Sequence, residues 1–340
     1  MVELENRRVA LIGGAGFIGH NLALALAERG AEVSVIDGLS VNNLLHFTAS
    51  DQFVQNRDFY RRIIYERLRL LQKAGVPLHV QDARDYHALS KVLDAISPQV
   101  IIHLAAIAHA GKSNKDPYST FDHSLRTLEN ALDFARAGQV EHFVYFSSSM
   151  VYGNFPAGTV TEETPCEPLG IYGALKFAGE KIVIAYQQVF DLPYTIVRPS
   201  ALYGERCVSR RVGQIFIENA LEGTELTVSG DGTDRLDFTY VGDLVAGVAR
   251  VIENENARNQ VFNLTYGESR SVNDLVAIMQ ERFPGLEVHC TPKDTLTPDR
   301  GTLSVDKARR ILGYAPCYPL EEGFPRYIDW YRSFWGAKGS

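Results

Sequence analysis

The stretch VALIGGAGFIGHNLALALAERGAEVSVID, residues 9–37, runs from an apolar segment through three glycines spaced three apart into a helical pattern and a second apolar segment. Gly13, Gly16 and Gly19 directly follow the first predicted strand and open the helix. Glycine at these positions permits the tight turn, lets the backbone approach a pyrophosphate and packs the helix closely, while the unpaired amides at the helix N-terminus attract phosphate. Asp37 ends the second strand, eighteen residues after Gly19. A carboxylate there accepts hydrogen bonds from an adenosine ribose and repels a 2'-phosphate, which selects NAD over NADP. Phe17 and Ile18 within the turn, Asp82 and Ala83 after LHVQ, and Leu104, Ala105 and Ala106 in HLAA complete the expected cofactor contacts. Plainer readings stay open: a purely structural turn, an Asp37 that only starts a loop, and an Asp82 that caps a helix.

Working outward, RVALIGG, EVSVID, VIIHLAA, HFVYFSSS and YTIVRPS are short apolar runs separated by helical patterns. Such runs predict a parallel sheet covered on both faces, hence a Rossmann-type, doubly wound α/β fold. After about residue 200 the alternation loosens. We read 1–200 as a dinucleotide-binding unit to which the chain returns at about 237–263, with 201–236 and 264–335 forming a smaller C-terminal α/β substrate unit. The connection 46–75 has no role assigned by its sequence. Ile63, Ile64, Leu68 and Leu71 recur there at helical spacing among many arginines, which read as a solvated face before they read as phosphate ligands.

The 340 residues carry a net charge of -7 with Lys and Arg scattered among acids, which argues against a nucleic-acid partner. No run approaches the roughly 20 apolar residues of a membrane span, and the first strand begins too early for a secretion signal. A cytoplasmic protein is expected. Cys166, Cys207, Cys290 and Cys317 lie far apart without a C-x-x-C pair, so reduced thiols and no metal site are expected.

Residues 171–180, IYGALKFAGE, place Tyr172 and Lys176 four apart on one helix face. A tyrosine with its usual pKa of about 10 is a poor base at neutral pH, and an ammonium one turn away favours its phenolate. Any single Y-x-x-x-K arises by chance; with the glycine turn and SSSMVYG about twenty residues upstream it becomes specific.

With GGAGFIG (13–19), HLAA (103–106), SSSMVYG (147–153), YGALK (172–176), RPSALYG (198–204) and DFTYVGDL (237–244), the chain resembles the extended short-chain dehydrogenase/reductase family, in particular its nucleotide-sugar epimerases and dehydratases. The resemblance covers nearly the whole sequence. It implies an NAD-binding Rossmann domain, a nucleotide-diphosphate sugar as substrate and a homodimer packed through two helices per subunit. It also implies that Tyr172 is the general base, that Lys176 lowers its pKa and holds the nicotinamide ribose, and that Ser148 bonds the reacting sugar hydroxyl. Dehydratases of the family carry an Asp-Glu pair where this chain has Ser149 and Met150, and decarboxylating relatives commonly carry Glu at the latter. Methionine transfers no proton, so epimerisation, most often at C4 through a transient ketose, is the expected reaction. A keto-sugar reductase or dehydrogenase, and an NAD-binding regulatory protein, are the competing readings.

The substrate side departs from the family. Ala201 replaces a usual asparagine, Ser124 another, and Leu236 a usual arginine, with Arg235 shifted one residue and therefore to the opposite strand face. Arg206, Arg210, Arg211, Arg235 and Arg300 are candidates for diphosphate recognition, since guanidinium forks suit phosphate oxygens. His109 and Lys112 follow a strand end at the ligand side and, with Ser148 and Ser149, are candidates for sugar contacts, against structural or solvated roles for each.

Overall fold

The Val/Ile/Leu-rich runs become the central layer of the molecule because both of their faces are apolar and both must be covered. The structure, a computed structural model, describes residues 3–48, 55–107, 110–138, 140–293 and 297–336. Strands β1 (Arg8–Ile12), β2 (Glu32–Asp37), β3 (Leu78–Val80), β4 (Val100–His103), β5 (His142–Phe146) and β6 (Tyr194–Arg198) are joined by a returning strand, Gln260–Asn263. The seven are parallel, in the spatial order returning strand, β6, β5, β4, β1, β2, β3. The order reverses between β1 and β4, which pair Ile12 with His103. A crevice therefore opens at their carboxyl ends, where such sheets take ligands. The first helix, α1 (Phe17–Glu28), starts over that crevice.

Three buried apolar clusters follow from this layering. One packs α1 and the helix Val241–Glu253 on one sheet face, and another packs Leu89, Leu93, Leu128 and Val183 on the other. The third lies off the sheet and joins Phe216, Leu275, Phe324 and Tyr331 to Phe59, Tyr60, Ile63 and Ile64 of the helix Arg57–Lys73. That inserted helix thus bridges the two expected units: it leaves the chain between β2 and β3 but packs with the C-terminal helix Leu320–Gly336. In the reverse direction, Val305, Ala308, Leu312 and Tyr314 pack in the first cluster on the sheet.

The helix Gly170–Phe190 lies along the sheet, and a buried polar group fixes its position. Arg198 Nη2 and Nε donate to Glu180 Oε2 and Oε1 at 2.6 and 2.9 Å. Ser147 Oγ donates to Glu180 Oε1 at 2.5 Å, and Arg198 Nη1 reaches the Tyr152 hydroxyl, which donates to Asn263 Oδ1. Both members of the ion pair are almost wholly buried, at 5% and 2% exposure. Breaking such a pair strands a charge in an apolar interior and costs about 3–5 kcal/mol. Glu180→Ala is therefore expected to lower the denaturant midpoint by a free energy of that order with the slope unchanged; a loss below about 1 kcal/mol would show that the pair does not anchor the helix.

Candidate active site

The glycine turn is shaped by close backbone approach. Gly13 has φ +81, and a Cβ there would lie 2.7 Å from Ala105 N; a Cβ at Gly19 would lie 2.5 Å from Gly14 Cα. Asp37 ties the turn to β2, since its Oδ2 accepts from Ala15 N at 3.0 Å and its Oδ1 from Leu39 N at 2.8 Å. Burial pushes the Asp37 carboxyl up, while those two amides and the nearby Arg67 favour its ionised form. Gly13, Gly16, Phe17, Ile18, Gly19, Asp37, Asp82, Ala83, Leu104, Ala105 and Ala106 all line one cavity, together with Asn42, Arg67 and Arg211. Neither a capping side chain nor an acid occupies the first turn of α1. Phosphate oxygens therefore find unpaired amides there, and the glycine cradle leaves room for a dinucleotide. Asp82 does not cap the following helix; Asp85 does, accepting from Ala88 N, and Asp82 pairs with Arg84 at 2.6 Å.

Tyr172 stands in the first turn of the helix Gly170–Phe190, half-buried, close enough to Ser148 for that hydroxyl to favour its ionised form. Ser148 ends the β5 segment, where its Oγ accepts from Met150 N at 3.2 Å and starts a short 3-10 turn, Ser149–Tyr152. Helix and turn are in contact, for a Cβ on Gly173 would lie 2.6 Å from the Met150 carbonyl oxygen. Ser149 is buried, and its amide donates to the Pro199 carbonyl. Lys176 is buried one turn further on. Its Nζ donates to the Phe146 carbonyl at 2.7 Å and lies 5.1 Å above the Tyr145 ring. Burial lowers its pKa to about 8.

Burial raises the Tyr172 phenol, while the Arg211 charge and the Ser148 hydroxyl favour its ionised form. Spacing of four residues puts Tyr172 and Lys176 on one face, and one of the three ammonium protons is taken by the Phe146 carbonyl at the end of β5.

The expected substrate cations separate as well. Arg206 is spent inside the protein: Nε donates to His20 Nε2 at 3.0 Å and Nη2 to Asn21 Oδ1 at 3.2 Å. Arg210 reaches Gln55, and Arg235 binds Ser269 through Oγ at 3.0 Å and its carbonyl at 2.6 Å. Leu236 is buried and Arg235 exposed, as the one-residue shift on a strand requires. Lys112 donates to Asn42 Oδ1 at 3.0 Å on the dinucleotide side. His109 lies outside the described residues. Arg211 lines the cavity, and Arg300 holds a buried Nε without a partner. Burial and the repulsion of Arg211 lower Arg300 to about 10. Ala201 has φ 35, a region where asparagine is enriched over other non-glycine residues, so the family's asparagine would suit its backbone.

Sequence reading missed Arg67, hidden in a pattern that looked solvated, and the Glu180–Arg198 anchor, whose partners lie eighteen residues apart. It also had no means to rank Arg211 above Arg206. If Arg211 is the cation acting on Tyr172, Arg211→Ala raises the phenol pKa. Alkaline absorbance titration, with Tyr172→Phe subtracted in each background, should show the Tyr172 transition moving upward; an unmoved transition would return that role to Lys176.

Comparison with known proteins agrees with this geometry. Residues 9–265 match the NAD dependent epimerase/dehydratase family. A Bacillus subtilis protein described as an uncharacterized UDP-glucose epimerase is 31% identical over 252 residues, covering 73% of this chain and 78% of its own. UDP-glucuronate 4-epimerase 4 of Arabidopsis thaliana is 26% identical over 97% of this chain and 76% of its own. The UDP-glucuronic acid 4-epimerase of Bacillus cereus, solved with UDP-glucuronic acid and NAD, superposes with a TM-score of 0.84 at 25% identity, covering 96% and 99% of the two chains. The Thermus thermophilus UDP-glucose 4-epimerase, solved with NAD, gives 0.81 at 28% identity over 96% and 99%. With the family match spanning the glycine turn, Asp37, Ser148, Tyr172 and Lys176, the chain belongs to the NAD dependent epimerase/dehydratase family.

Proposed function

We propose that this protein is an NAD-dependent epimerase that inverts C4 of a UDP-sugar. The observation that carries the reading is Tyr172 beside Ser148 and within reach of the charge of Arg211, which lines the dinucleotide cavity, next to a turn in which Ser149 and Met150 supply no carboxylic acid. Bound NAD supplies the hydride acceptor and donor, so that it is recycled. Tyr172 takes the proton from the sugar hydroxyl as the carbon is oxidised and returns it on reduction. Ser148 orients the phenol and the sugar hydroxyl through its hydroxyl. Lys176, held by the Phe146 carbonyl, fixes the helix above β5 and offers its remaining ammonium protons to the nicotinamide ribose. Arg211 favours the phenolate and, with Arg300, faces the substrate diphosphate; neither guanidinium forms an ion pair with a described residue. The names of the relatives supply the UDP-sugar and the C4 position.

Exposed apolar side chains support a homodimer. Tyr118 is 83% exposed and Val189 69%, with Phe121 and Phe190 also at the surface of the helices Pro117–Phe121 and Gly170–Phe190. A second copy packed along these two helices would remove such side chains from water. The four cysteines are unpaired, with Cys290 and Cys317 exposed, which suits the reducing cytoplasm. No helix among the described residues is long and apolar enough to cross a membrane.

Incubation with UDP-glucose and UDP-glucuronate, followed by NMR, should yield the C4 epimer of at least one without steady growth of NADH absorbance. Stoichiometric NADH would instead favour a dehydrogenase. Tyr172→Phe should lower turnover by roughly a hundred- to ten-thousandfold with the fold intact; near-normal turnover would remove its role. In light scattering the protein should weigh twice the chain mass, and Tyr118→Asp with Val189→Asp should halve it, whereas a monomeric wild type would overturn the dimer.

A further inference from the structure

The inserted helix Arg57–Lys73 carries five arginines, and one is unlike the rest. Arg61 pairs with Asp58 and Arg69 with Glu66 on the outer face, and Arg62 bonds the Phe334 carbonyl. Arg67 is wholly buried, at 0% exposure, and forms no ion pair with a described residue. Its Nε donates to the Arg206 carbonyl at 2.9 Å, and Nη2 donates to the same oxygen. Its Nη1 is buried with no partner among the described residues. The side chain lines the same cavity as Gly13, Gly16, Phe17 and Asp37.

Arg67 is also held firmly. Arg206 adopts a left-handed backbone, φ 64, while its own guanidinium donates to His20 Nε2. Because that nitrogen accepts, His20 carries its proton on Nδ1, which donates to the Gly16 carbonyl at 2.9 Å. Burial and the two neighbouring guanidinium groups keep His20 neutral. A chain of contacts thus runs from Arg67 through Arg206 and His20 to the phosphate-binding turn. Asp37 is the carboxylate nearest in effect, but both its oxygens already accept backbone amides. A buried guanidinium with a spare N–H pair and no counter-ion is costly unless an anion completes it.

We propose that Arg67 is a cofactor-binding residue contributed by the inserted helix, its Nη1 donating to the pyrophosphate of the bound dinucleotide beside the α1 N-terminus. The inference rests on the cavity being the dinucleotide site, and the test separates the two. Affinity of the cofactor-stripped protein for NAD, ADP and adenosine is measured by calorimetry in wild type, Arg67→Met and Arg67→Lys, with melting of each protein alone as the check on folding. Loss of a charge-assisted hydrogen bond should weaken NAD and ADP roughly ten- to hundredfold in Arg67→Met and leave adenosine unchanged. Wild-type ADP affinity should also fall more steeply with salt than that of the variant. If Arg67→Met does not fold, Arg67→Lys decides: a lysine cannot span both the Arg206 carbonyl and a phosphate, so ADP affinity should still drop while adenosine holds. Undiminished ADP binding, or equal losses for ADP and adenosine, would overturn the assignment. A wild type that binds neither NAD nor ADP would instead overturn the cofactor site itself.

Discussion

A guanidinium and a carboxylate taken out of water, Arg198 and Glu180, lock the helix Gly170–Phe190 to the sheet at 2.6 Å. Everything the helix presents at its other end depends on that lock. Tyr172, Lys176 and Glu180 are each one turn apart, so fixing Glu180 fixes the phenol about 12 Å away along the axis. The helix can approach the sheet this closely only because residue 179 is glycine: a Cβ there would lie 2.2 Å from the Tyr145 hydroxyl oxygen. Ser147, which donates to Glu180, is the chain neighbour of Ser148. The ion pair therefore sets the helix and the serine turn in register with each other, which a two-residue proton-transfer site requires.

The two acids that line the cavity are engaged, as are several acids beyond it, whereas some cations form no ion pair with a described residue. Asp82 is taken by Arg84, Asp234 and Asp299 by Lys293, and Glu180 by Arg198. Asp37 accepts two amides. Arg67, Arg211 and Arg300 form no ion pair with a described residue, and two of them carry buried nitrogens with no partner among the described residues. A site with this balance stabilises polyanions, as two pyrophosphates brought together would be. The net charge of -7 says nothing of this, because surface acids outnumber the few cations that face inward.

What the sequence revealed and what it hid follow from the range of the interactions involved. The glycine turn, β1, β2 and Asp37 are set by contacts within about thirty residues, and their signals are local. The inversion of Leu236 and Arg235 was legible because strand period is fixed by geometry. By contrast, residue spacing places two Cβ atoms but not the ends of long side chains; the Phe146 carbonyl captures the Lys176 ammonium, and no count of residues reveals that. Arg206 looked like a phosphate ligand because its left-handed backbone and its partners on α1 are invisible in sequence. The inserted helix read as a solvated arginine face because the aromatic surface that covers it lies some 270 residues later, at Tyr331 and Trp335.

That helix also ties two parts of the molecule together. On its N-terminal side, Tyr60 donates to Glu218 at 2.6 Å, and the same buried carboxylate accepts from Tyr331 and Gln214 at 2.8 Å each. Glu218 is thus satisfied by neutral donors from the inserted helix, the C-terminal helix and its own helix, Val212–Glu222, which begins one residue after Arg211. Two turns further along the inserted helix, Arg67 faces the dinucleotide cavity. One continuous helix joins these points, so the Glu218 network beside the Arg211 helix and the cavity-lining Arg67 share a single element. That shared element is built from a segment whose sequence alone had no assigned role.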